Sequence, residues 1–152
     1  MKSTVLNIAA YKFVALHDLP ALRVELRELC DKLGLKGTIL LASEGINLFL
    51  AGSEESVAAF LAKLRATRPF CDLTDKRSYS SVQPFGKLLV KVKKEIIAIG
   101  RTGIDPARRP APRLAPRELK RWLDEGRDVV LFDTRNAFEV EHGTFHGAQH
   151  IG

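Results

Sequence analysis

Gly37-Thr38-Ile39-Leu40-Leu41-Ala42-Ser43-Glu44-Gly45-Ile46-Asn47-Leu48-Phe49-Leu50-Ala51 reads as two short β-prone runs, 37–42 and 46–51, joined by Ser43-Glu44-Gly45. A glycine in so short a connection supplies the backbone freedom of a tight turn, and the stretch predicts a β-hairpin. Helical patterns flank it. Upstream, Leu22, Leu26, Leu29, Cys30 and Leu33 recur at helical spacing within residues 19–33, with Pro20 in the first turn and Gly34 just past the end. Downstream, Ser53 stands as a cap before a helix reaching residue 66, where Val57, Phe60, Leu61 and Leu64 form one apolar stripe.

Further out, residues 6–16, with Tyr11, Phe13 and Val14, predict a strand that meets neighbours on both faces and ends at His17-Asp18. Residues 71–79 and 88–92 predict two more, followed by the short run 96–99. The order β-α-β-β-α-β with an added hairpin strand matches the α+β, ferredoxin-like plan: an antiparallel sheet with two helices on one face. Residues 1–103 are assigned to this domain. In 104–116, Pro106, Pro110, Pro112 and Pro116 alternate with Arg and Ala, the composition of a stiff linker. Residues 117–152 follow, with a short helix over 116–125 bearing Leu119, Trp122 and Leu123, Gly126 as its stop, and a buried-type strand Val129-Val130-Leu131-Phe132. This tail is shorter than the ~50 residues of the smallest independent domains.

The chain has a net charge of +6, and residues 76–121 hold thirteen basic side chains against three acidic ones, leaving the remainder slightly acidic. Such a belt favours anionic partners. Period-2 alternation near its start puts Val90 and Val92 on one face of a strand and Lys87, Lys91 and Lys93 on the other. With Arg101, Arg108, Arg109 and Arg113 they are the candidate RNA phosphate contacts. The plain alternative is a solvated edge, which lysines also protect against pairing. Tyr11 and Phe13 share one face of the first strand; such a pair either stacks bases on an open sheet or belongs to the core.

No apolar run reaches the ~18 residues of a membrane-spanning helix, and residues 1–16 lack the unbroken apolar stretch of a secretory signal. A cytoplasmic protein with no membrane partner is expected. Cys30 and Cys71 form neither a C-x-x-C pair nor a disulfide framework, and Cys30 falls on an apolar helix stripe as a core thiol. His142, His146 and His150 are spaced i, i+4, i+8, but Gly143, Thr144 and Gly147 oppose a helix there, and no metal site is expected.

The end of the chain reads Asp133-Thr134-Arg135-Asn136-Ala137-Phe138-Glu139, then Gly143-Thr144-Phe145-His146-Gly147-Ala148-Gln149-His150-Ile151. An acid closing a strand, an Arg two residues on and a Glu four later can hold a strand-to-helix turn by charge-assisted hydrogen bonds. Asp133, Arg135 and Glu139 are accordingly read as structural, since a catalytic trio would need a nucleophile and none follows. The segment resembles the first half of a rhodanese-like domain, D-x-R-x-x-x-E followed by G-H-I-x-G-A-x-x-I-P. Asp133, Arg135, Glu139, Gly143, Gly147, Ala148 and Ile151 match; Thr144 replaces the His and Gly152 the Pro. Residues 37–47 and Phe85-Gly86-Lys87-Leu88-Leu89-Val90-Lys91-Val92-Lys93 resemble the domain that precedes a rhodanese-like domain in the bacterial tRNA uridine(34) hydroxylase family.

That resemblance implies an oxygen-dependent hydroxylation of the tRNA wobble uridine to 5-hydroxyuridine. Molecular oxygen is then the co-substrate of the full-length enzyme, and no cofactor is assigned to this chain. The family's essential cysteine sits in a rhodanese loop, where backbone amides at a helix start stabilise a thiolate. It is expected beyond Gly152, so no catalytic residue is assigned here, and the chain reads as a fragment: a first domain, a linker and the incomplete start of an α/β rhodanese-like domain. Its expected task is to position tRNA. Its unpaired tail strand is expected to be mobile or to dock on the first domain or a neighbouring molecule. Two alternatives stand beside this. One is a non-catalytic interaction module with a rhodanese remnant. The other is an acylphosphatase-like phosphate hydrolase, which needs an Arg-bearing loop after the first strand where this chain has Leu16-His17-Asp18-Leu19.

Overall fold

Ser43 and Glu44 alone turn Lys36–Ala42 (β2) into Gly45–Gly52 (β3), with Ala42 pairing directly with Gly45. The computed structural model describes residues 4–96 and 111–150. Two glycines of the hairpin are imposed by the neighbouring backbone. A Cβ on Gly45 (φ +152°) would lie 2.0 Å from the Lys12 carbonyl oxygen, and one on Gly37 (φ +135°) 2.0 Å from that of Phe49.

Around the hairpin lie Val5–Phe13 (β1), Leu19–Lys32 (α1), Glu54–Arg65 (α2), Asp75–Ser80 (β4) and Leu88–Val92 (β5), and the sheet order is β4-β1-β3-β2-β5. β1 stops at Phe13, short of the expected residue 16. Beyond it the chain leaves the ladder to serve the turn, the Val14 amide donating to the Glu44 carbonyl (2.9 Å) and the Leu16 amide to that of Ser43 (3.0 Å). Glu44 Oε1 accepts from the Ile96 amide at 2.7 Å. The turn of the Glu-Gly-Ile-Asn run is therefore a knot tying three segments together.

Both α1 and α2 start at a side-chain cap. Asp18, at φ 49°, accepts from the Ala21 amide (3.3 Å), and Ser53 Oγ accepts from the Ser56 amide (3.1 Å). Both helices cover the same face of the sheet: Leu26, Cys30, Val57, Phe60, Leu61 and Leu64 share one core with Leu6, Ile8, Ile39, Leu41, Ile46, Leu48 and Leu50. β4 begins four residues later than expected, because Arg68–Phe70 forms a 3-10 turn that buries Phe70. Arg65 then fastens the chain, donating to the Leu73 carbonyl (2.9 Å) and to Asp75 (2.6 Å).

The added strand is not the hairpin partner of β4. β5 pairs in parallel with β2 at the opposite edge. There Val90 fits beside Ile39 in the core and its carbonyl accepts from Arg23 Nε of α1 at 3.0 Å, a combination the β4 edge does not offer. The ferredoxin-like α+β plan holds, with one parallel pair.

The chain divides into two units, residues 1–110 and 111–152. Of the expected linker, residues 104–110 lie outside the described residues; 111–115 are neither helix nor strand. The second unit contains Pro116–Asp124 (α3), Phe132–Asp133 (β6), Ala137–Glu141 (α4) and Gln149–His150 (β7), with β6 and β7 parallel. The buried strand expected over 129–132 is not formed: only Phe132 enters β6, and Val130 and Phe132 are 61% and 57% exposed. A parallel strand is buried only when neighbours and cover flank it, and β7 supplies a single two-residue partner. Among the described residues, no helix is long and apolar enough to cross a membrane.

Candidate nucleic-acid interface

Because helices cover one face of the sheet, the other follows from register alone. One row runs Lys76 (β4), Ala9 (β1), Phe49 (β3), Thr38 (β2), Leu89 (β5); the next runs Tyr11, Asn47, Leu40, Lys91. Phe13 and Gly45 begin a third, and Lys36 pairs with Ala51 in a row with Asn7. Lys87 and Lys93 extend β5 at its two ends, the Lys87 carbonyl accepting from the Gly37 amide (3.1 Å) and the Lys93 amide donating to the Leu41 carbonyl (2.8 Å). Alternation puts both with Lys91 on the helix-free side.

This face therefore carries Lys36, Lys76, Lys87, Lys91 and Lys93, all exposed, and no strand position on it holds an Asp or Glu. The nearest strand carboxylate, Asp75, points to the helix side and is already engaged. Burial opposes its ionisation, but hydrogen bonds from Arg77 (2.7 Å) and Arg65 (2.6 Å) prevail and hold it below the usual carboxylate range.

Of the predicted contacts, the structure brings Lys87, Lys91 and Lys93 together. Arg113 is exposed but belongs to the second unit, and Arg101, Arg108 and Arg109 lie outside the described residues. Tyr11 is 48% exposed rather than core, its ring edge-on to Phe13 with centroids 6.2 Å apart. Phe49, 49% exposed one strand away, was not singled out by sequence. Its alternation with buried Leu48 and Leu50 was the available signal.

In the second unit Asp133 accepts from the Arg135 amide (3.1 Å), Nε (2.9 Å) and guanidinium (2.5 Å), and from Thr144 Oγ1 (2.7 Å). Arg135 first, then Thr144, hold this carboxyl well below its ordinary range. Arg135 also donates to the Gly143 carbonyl (2.7 Å), and Glu139 accepts from Asn136 Nδ2 (2.9 Å) at the start of α4. The arrangement clamps the turn between β6 and α4 and ties it to Gly143 and Thr144. Thr144, in the place of the rhodanese His, contributes an O–H donor to the clamp. His142 Nδ1 and His150 Nε2 lie 2.6 and 2.9 Å from the Phe138 and Arg135 carbonyls, and among the described residues no cluster could hold a metal ion.

Neither cysteine matches a rhodanese nucleophile. Burial, with the Asp31 charge adding to it, pushes the Cys30 thiol up to about 12. Cys71 is exposed but follows the carbonyl end of a 3-10 turn, not an amide cradle. The loop after β1 holds no arginine, and at the start of α1 the Asp18 carboxylate accepts from the Ala21 amide (3.3 Å).

A family described as the UPF0176 acylphosphatase like domain matches residues 5–96, more than half of the chain. The chain belongs to the UPF0176 family. Among curated relatives, a tRNA uridine(34) hydroxylase of Variovorax paradoxus is 56% identical over 149 residues, 95% of this chain and 57% of that protein. One of Cupriavidus metallidurans is 52% identical over 153 residues, 97% of this chain and 54% of that protein. This UPF0176 chain thus spans about half the length of the curated relatives it matches. An acylphosphatase from Coxiella burnetii aligns with 59% of this chain and 95% of its own, at 15% identity and a TM-score of 0.44.

Proposed function

We propose that this chain is the tRNA-positioning part of a wobble-uridine hydroxylase, which forms 5-hydroxyuridine with molecular oxygen as co-substrate. It acts in the cytoplasm and takes its catalytic cysteine from outside these residues. The observation that carries the reading is the helix-free sheet face, with five exposed lysines and no strand carboxylate. Such a face meets the first requirement of RNA binding, neutralisation of phosphates with counterion release. Arg101, Arg108, Arg109 and Arg113 are proposed as further phosphate contacts.

Titration of tRNA at several salt concentrations tests this. Lys91→Ala and Lys93→Ala are expected to weaken binding and to flatten the slope of log K against log salt by about 0.7 to 0.9 each. An unchanged slope would reduce the lysines to edge protection. The 152-residue chain is expected to bind tRNA without producing 5-hydroxyuridine, because neither Cys30 nor Cys71 meets the needs of the thiolate; product above a no-protein control would place the catalytic group here. The exposed Val130 and Phe132 are proposed to dock on a neighbouring molecule, so sedimentation should show self-association that Val130→Ser and Phe132→Ser abolish.

A further inference from the structure

Resting on the RNA reading above, we infer that the helix-free sheet face takes unpaired nucleotides, with Tyr11 and Phe49 each stacking a base and the lysines at the sheet's margins holding the phosphates. The two rings stand on the adjacent central strands β1 and β3. Tyr11 pairs with Asn47 and Ala9 with Phe49, so the rings are diagonal cross-strand neighbours, about 7 Å apart at their Cα atoms.

Both rings are about half exposed although every apolar side chain of the opposite face between them, Ile8, Ala10, Leu48 and Leu50, is buried. A solvated edge face does not account for this placement, since the aromatics are at the centre and the lysines at the margins. Lys76 lies on β4 to one side; Lys36 on β2, Lys91 on β5 and Lys87 and Lys93 at the two ends of β5 lie to the other.

A duplex presents phosphates but keeps its base faces stacked inside, so it can use the lysines and not the rings. A protein partner could cover the rings but would need acidic groups to meet the lysines on both sides of them. A single strand uses both: every base has a π-face, and its backbone runs where the charge is. Asn47, between Tyr11 and Leu40 in the same row, adds an amide with both donor and acceptor capacity beside the first ring.

The test compares fluorescently labelled oligoadenylate with a labelled RNA duplex, titrated into the 152-residue chain and into Tyr11→Ala, Phe49→Ala, Tyr11→Phe and Phe49→Trp variants, each checked for an unchanged melting temperature. Each Ala variant is expected to lose about 5- to 150-fold in affinity for the single strand, with its salt slope and its duplex affinity unchanged, while Tyr11→Phe and Phe49→Trp retain binding. Wild-type affinity for oligoadenylate in both Ala variants, with Lys91→Ala and Lys93→Ala still weakening it, would overturn the stacking inference and leave phosphate binding standing. Equal loss of duplex and single-strand binding in the Ala variants would also overturn it, as a general disturbance of the face. If the unaltered chain binds neither RNA, the underlying tRNA-positioning reading fails with it.

Discussion

A methyl group on Gly45 would sit 2.0 Å from the Lys12 carbonyl oxygen, beside the Phe13–Gly45 pair of the β1–β3 ladder. Neither backbone can retreat without parting the two central strands, and φ +152° is itself poorly accessible to alanine. Gly45→Ala is therefore expected to cost at least about 2 kcal/mol, read as a lower urea midpoint at unchanged m-value. The two thiols differ just as locally. Cys30 is fully buried and its thiol is raised to about 12, whereas Cys71 is exposed. A thiol reagent near neutral pH should modify Cys71 alone in the folded chain and both cysteines in denaturant. At Asp133 the sign of the pH dependence follows from the lowered carboxyl. Its clamp contributes stability that is fully present above the unfolded value of about 3.9 and is lost as pH falls through the lower folded value. The Arg135 Nε–H bond to Asp133 is thus expected to persist to below about pH 4, read from the Nε proton's chemical shift, and Asp133→Asn should remove the acid transition.

At the scale of the element, local chemistry sets the ends of α2. Ser53 Oγ holds the Ser56 amide at 3.1 Å, and Ser53→Ala should lower stability by about 1 kcal/mol, measured by thermal or urea unfolding. Elements governed by such short-range signals were legible in the sequence: the hairpin, the Ser53 cap and the apolar stripes of α1 and α2; the Asp18 cap of α1 was not read. The partner of β5 was not, because β4 and β2 both present an edge, and the choice rests on α1 lying over Ile39 and Val90, a contact between residues far apart in the chain. Half of the candidate site was legible for the same reason. Parity gives Lys87, Lys91 and Lys93 one face, but whether that face is covered depends on where both helices pack. Phe49 therefore looked like one more apolar residue in the run 46–51. In the tail, apolar composition at 129–132 suggested burial that a two-residue pairing between β6 and β7 does not provide.

Across the whole molecule, buried apolar surface is distributed very unequally. Residues 4–96 enclose a core in which Ile39, Leu41, Ile46, Leu48, Leu50, Val57 and Phe60 have no exposed surface, while none of the described residues from 111 to 150 is buried. Hydrogen bonds such as the Asp133–Arg135 clamp fix a turn within the second unit, but with no buried residue beside them they contribute little net free energy against its chain entropy. Backbone amides should report this division by hydrogen exchange. At concentrations where the chain is monomeric, those of β1, β2 and β3 are expected to exchange only through global unfolding of the first unit, and those of α4, β6 and β7 through local opening at rates near those of an unfolded chain. Leu48→Ala, which removes a fully buried side chain from the centre of the core, should cost about 2–5 kcal/mol and accelerate the first group at least about thirtyfold. The second group should be indifferent to it, because no opening of that unit passes through the core around Leu48. Slow exchange at Phe132 and Gln149 that quickens in step with the core would instead make the two units one cooperative structure, and the second unit's stability would have to come from contacts with the first.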